Sequence, residues 1–188
     1  MEQAKIIATQ IPEPPLSKFL FSDSRFAWFW LLVRLYVGWQ WLQAGWEKFN
    51  SPLWIGSQAG VAIKGFLTGA LQKSTSAHPD VSGWYAYFIN HVALPHAVIF
   101  SYLVTYGEII VGILLFLGLL TGIAAFFGTF MNLNYLFAGT VSINPLLGLL
   151  GLFLILAWRI AGWYGLDRYF LPIFGTPWQP GKIFQNNK

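Results

Sequence analysis

The chain has 188 residues, of which 56% are hydrophobic and only 10% charged. Soluble domains carry about 25% charged residues, so this composition points to a membrane protein. The net charge of +4 is scattered, with no basic cluster suited to tracking phosphates, which argues against nucleic acid as a partner. The absence of cysteine excludes disulfides, thiolate metal sites and cysteine nucleophiles within the chain.

The first apolar run is short, and Pro12, Pro14 and Pro15 interrupt it, so it does not read as a secretory signal. Residues 1–27 read as a cytoplasmic tail; a segment lying at the interface near residues 16–21 is the alternative. A first span is predicted over 28–49. Residues 50–96 are too polar to cross a bilayer as one helix and read as a long extracytoplasmic loop. Within it AGVAIKGFLTGAL (59–71) suits a short amphipathic helix at the interface. WYAYFINHVAL (84–94) lies against the membrane or extends the next span.

No Asp, Glu, Lys or Arg occurs from Ile109 to Trp158. A span needs about 20 residues, so this stretch must fold back. GLLTG (118–122) and GTVSINP (139–145) supply the breaks. Further spans are therefore predicted over 97–119, 123–138 and 146–163, followed by a cytoplasmic tail over 165–188. The expected fold is all-α, a four-helix integral membrane bundle. Lys and Arg concentrate on both tails, which places the termini in the cytoplasm and the long loop outside, with the bundle in the plasma membrane.

Within the first span Arg34, Gly38, Trp41, Gly45 and Lys48 share a face at about 100° per residue. Gln40, Gln43 and Glu47 fall nearly opposite. A helix with two polar faces should meet protein or water on at least one of them. Gly38 and Gly45 would admit a close second helix. Glu108 is predicted near the middle of the second span, about 9 Å along the axis from Arg34. A mid-membrane charge needs a partner, so a polar centre of Arg34, Glu108, Asn132 and Asn134 is expected. It serves either as a ligand or proton site or as a buried pair that fixes the bundle; Arg34 alone can also snorkel to headgroups. Trp46, Glu47 and Lys48 form a second group at the outer end. HVALPH (91–96) does not place its histidines on one helical face, so no metal or haem site is expected.

The early arginine, GWEKF (45–49), YGEIIVGILLFLGLLTG (106–122) and GLDRY (165–169) resemble the DoxX/DoxD family of small four-span membrane proteins. The long first loop and GTPWQPGK (175–182) look more like its DoxD-like branch. That resemblance implies the membrane subunit of a thiosulfate:quinone oxidoreductase, passing electrons to a membrane quinone, with a second subunit or larger complex as partner. On that reading Glu108 relays protons, with Asn134 and Tyr135 nearby, and Lys48 attracts an anionic substrate. The alternative is a non-catalytic membrane anchor or scaffold.

Overall fold

The computed structural model describes residues 13–176 and 179–185, so the first twelve residues of the tail expected over 1–27 lie outside the described residues. Helix α1 (Pro15–Ser22) starts at a proline, whose fixed φ suits a first helical turn. Asp23 then caps a 3-10 turn: its carboxylate accepts from the Arg25 backbone N–H at 2.9 Å and pairs with the guanidinium at 2.6 Å. These bonds hold the Asp23 carboxyl down at about 2. Next come α2 (Ala27–Phe49), α3 (Val61–Ser74), α4 (Gly83–Phe88) and a π-helical segment (Ile89–Ala93). They are followed by α5 (Ala97–Leu117), α6 (Thr121–Phe137), α7 (Asn144–Leu156) and α8 (Trp158–Ala161). Helix α9 (Asp167–Phe174), a two-strand pair β1 (Gly175–Thr176) and β2 (Gln179–Pro180), and α10 (Lys182–Gln185) complete the described chain. Among the described residues, only α5 is both long and apolar enough to cross a membrane by itself.

Residues of α2, α5, α6 and α7 form one apolar core around Trp41, Val111, Leu115 and Leu154. A second core joins α3, α4 and the π segment to the ends of α5 and α6, around Ile63, Tyr85, Ile89 and Ala138. The long loop is thus a folded cap, built on the amphipathic stretch visible in the sequence.

The register of α2 on α5 differs from expectation. A Cβ added to Gly45 would lie 2.8 Å from the Ile109 nitrogen, and one on Gly38 would lie 3.0 Å from that of Phe116. Glu108 therefore sits level with the last turns of α2, about 18 Å along the axis from Arg34, not 9 Å. The physical reason is that α5 overshoots the end of α2 and is held there by the loop. Buried Ser101 donates to the Trp54 carbonyl at 2.7 Å, and Gly60 packs on Val98. The close helix that Gly38 and Gly45 admit is α5 of the same chain.

Arg34 does face the interior, 1% exposed, but its partners are backbone. Its Nη1 donates to the carbonyls of Leu115 (2.6 Å) and Phe116 (2.9 Å), and its Nη2 to that of Tyr164 (3.2 Å). It thereby satisfies the open C-terminal end of α5. Gly118 follows at φ +65, and any Cβ there would strike the guanidinium, so this turn requires glycine. Asp167 completes the knot by accepting from the backbone N–H groups of Leu120 (2.5 Å) and Thr121 (2.9 Å) at the start of α6. We expect Asp167→Ala to cost about 2 kcal/mol, since it strands one buried and one half-buried N–H group. Asp167→Asn should cost less, because one acceptor survives. Thermal unfolding in detergent measures both, and equal losses would discard the capping role.

Candidate functional site

Between the two cores lies a cavity of about 560 Å³. Apolar and aromatic side chains supply most of its wall: Trp41 from α2, Phe66 and Leu67 from α3, Phe88 from α4, Phe100 and Val104 from α5. Its size and mostly apolar lining are those of a small-molecule site, in which a few polar groups set orientation.

The polar groups converge at one point. Lys48 Nζ lies 3.0 Å and 2.8 Å from the two Glu108 oxygens. Tyr135 donates its hydroxyl to Glu108 Oε1 at 2.5 Å. Three elements bring these groups together: the last turn of α2, the middle of α5 and the last turn of α6. Glu108 is 1% exposed, so its charge is removed from water and must be matched locally. Lys48 matches it, keeps 20% side-chain exposure, and stands 5.3 Å from the centre of the Trp54 ring. Trp41 and Phe66 pack against the Tyr135 ring at 6.4 Å and 6.2 Å and orient its hydroxyl.

A second polar pair closes the cavity from the cap. Tyr85 donates to Asn134, whose carbonyl and side-chain oxygens lie at 3.0 Å and 3.2 Å. Burial pushes the Tyr85 hydroxyl up to about 12, so it stays a donor across physiological pH. Lys73 ties the end of α3 to the Gly139 carbonyl at 2.7 Å, on the turn after α6.

The structure thus gathers Glu108, Tyr135, Asn134 and Lys48 at one cavity and leaves the other expected residues apart. Arg34 is held in the knot at the far end and does not reach Glu108. Asn132 is 1% exposed, and neither of its amide atoms has a hydrogen-bond partner. It faces α7, where a Cβ on Gly148 would lie 3.9 Å from its Nδ2. Glu47 and Trp46 are exposed on α2, and Glu47 accepts from the Gln43 amide at 3.4 Å. Sequence reasoning missed the pairing of Lys48 with Glu108, because it assigned them to different depths. It also missed the cap residues Phe66, Tyr85 and Phe88; the signals for these were the apolar period of 59–71 and the aromatic run at 84–88.

His91 and His96 each bond a backbone carbonyl one turn earlier, at 2.9 Å. Among the described residues no group of three His, Cys, Asp or Glu side chains is arranged to hold a metal ion. No curated protein and no solved structure is significantly similar to the chain. The DoxX family model matches residues 29–141, more than half of the chain and the stretch that supplies Lys48, Glu108 and Tyr135, so this membrane protein belongs to the DoxX family.

Proposed function

We propose that the protein is the membrane subunit of a quinone-linked oxidoreductase and that the cavity between the two cores holds the quinone. In this reading α2, α5, α6 and the α7–α8 pair are four antiparallel spans in the plasma membrane. Both termini are cytoplasmic, and α3 and α4 cap the bundle outside. The observation that carries the reading is the meeting of Lys48, Glu108 and Tyr135 at the wall of an otherwise apolar cavity.

The residues fit such a ligand. Its ring would rest among Trp41, Phe66 and Phe100, and its tail among aliphatic walls. A bound quinone accepts two electrons and two protons. Lys48 and Tyr135 offer donors beside the carbonyl end, and Glu108 holds or passes a proton at its carboxyl oxygen. The resemblance of GTPWQPGK (175–182) to the DoxD-like branch favours thiosulfate as the reductant: two thiosulfate ions join through a new sulfur–sulfur bond to give tetrathionate and release two electrons. A second subunit then binds the thiosulfate or carries its electrons to the cavity.

The test is thiosulfate-dependent quinone reduction in membrane vesicles, with and without this chain and with Glu108→Gln. At equal protein level we expect the substitution to lower the rate at least about a hundredfold, the span of a lost proton-transfer group. A folded, abundant chain that supports no reduction, even with its co-purifying partners, would leave the anchor reading in its place.

A further inference from the structure

We propose that the Lys48–Glu108–Tyr135 cluster exchanges its protons with water on the side of the α3–α4 cap, through Lys48, and is sealed from the opposite side of the membrane. The inference rests on the reading of the cavity as a quinone site and adds the side from which the protons come.

Glu108 itself is shut away, but both of its oxygens touch Lys48 Nζ, whose side chain keeps 20% exposure at the end of α2, while half-buried Tyr135 opens only to the cavity under the cap. Lys48 lies in the last turn of α2, one residue from exposed Glu47 and two from Asn50, where the helix ends. The titratable groups around Glu108 are few: Lys48 and Glu47 from α2, Tyr135 from α6, and Tyr85 from the cap behind Tyr135. All of them lie toward the cap.

Toward the other end the packing closes. Val37, Val111, Leu115 and Leu154 are each at most 4% exposed and fill the space between the four helices. Along α5 the next polar contacts are those of the Arg34–Asp167 knot, seven residues from Glu108, or about 10 Å, and on α2 Gln40 lines the cavity but stands six residues, about 9 Å, short of Arg34. The knot's hydrogen bonds go to backbone and not to the cavity.

One rival route exists on α6. Asn132, Thr129 Oγ1 and Thr121 Oγ1 are buried without partners and could hold water. Thr129 and Thr121 are two turns apart, however, and Ala125 between them is 1% exposed against α7. That apolar step interrupts the row.

The chain contains no cysteine, so single cysteines report access without background. We would place one at a time at Ala44, which lines the cavity one turn below Lys48, at Ala125, and at Ser76 in the exposed cap loop. A membrane-impermeant maleimide is then added to right-side-out and to inverted vesicles. Ser76→Cys marks the cap side. Ala44→Cys should react from the cap side at least about ten times faster than from the other, because only a hydrated thiol ionises and attacks. Ala125→Cys should stay unreactive from both. Labelling of Ala44→Cys or Ala125→Cys from the side opposite Ser76 overturns the proposal.

A second readout uses weakly buffered vesicles, a trapped pH dye, thiosulfate and a short-chain quinone. Each quinone reduced should remove two protons from the cap side; alkalinisation of the opposite side overturns the proposal. If no quinone is reduced while labelling is confined to the cap side, the quinone reading fails and the sidedness of the cluster stands.

Discussion

Lys48→Met should destabilise the folded protein by about 3 kcal/mol, more than Glu108→Leu and more than the double substitution. Glu108 is 1% exposed and receives both of its charged contacts from Lys48. Removing the lysine leaves a carboxylate with only the Tyr135 hydroxyl, in a place that water does not reach. Removing the glutamate instead leaves an ammonium with 20% exposure, which can turn to solvent and keep its place beside Trp54. Removing both clears the desolvation cost along with the attraction, so the double variant should recover most of the loss. Unfolding in detergent, followed by tryptophan fluorescence, gives the three values and their coupling. Equal losses for the two single variants, adding in the double, would show that the pair contributes nothing as a pair.

Enlarging Gly112 to leucine should cost at least about 3 kcal/mol, because it over-packs the closest helix crossing. A Cβ there would lie 2.6 Å from Leu42 Cγ, 2.7 Å from the Leu42 nitrogen and 3.0 Å from the Gly38 carbonyl. Two of these three atoms are backbone, so α2 and α5 must separate, and Lys48 would then lose its reach to Glu108. Gly107 offers the contrast, since a Cβ there meets only the flexible Met131 side chain, at 3.2 Å. Exposed Gly65 in α3 has nothing within 4 Å of an added Cβ, so Gly65→Ala should stabilise the cap helix by about 0.5–1 kcal/mol. Loss of a co-purifying partner at unchanged chain stability in Gly112→Leu would mean that this surface binds another protein rather than α2.

Glu108→Gln and Gly112→Leu together separate structure from chemistry at the cavity. Glu108→Gln keeps the shape and an acceptor but cannot carry the charge, whereas Gly112→Leu keeps every polar group and moves α2. A quinone-linked activity that tolerated the first and failed in the second would assign Glu108 to packing.

Much of the architecture was legible in the residues themselves. An apolar composition, an uncharged stretch from Ile109 to Trp158, and Gly and Pro at its breaks are local facts, and helix ends follow from local facts. The bounds of α2, α5 and α6 fall within two residues of the expected spans, whereas the fourth segment divides at Ala157 into α7 and α8. The inward face of α2 was equally legible, because Arg34, Gly38, Trp41 and Gly45 recur at helical spacing and are all buried. That Glu108 needs a partner followed from the cost of a buried charge.

Which partner it takes was decided only by the fold. Helical period fixes the direction in which a side chain points, but not the height at which one helix meets the next. That height comes from where glycines let backbones touch, Gly38 and Gly45 against α5, and from the cap that holds α5 beyond the end of α2. A shift of about two turns moves Glu108 from the reach of Arg34 to that of Lys48, and leaves Arg34 to close the end of α5. The cavity is likewise a product of two cores that fail to meet, with Phe66 and Tyr85 arriving from a loop whose placement no local pattern encodes.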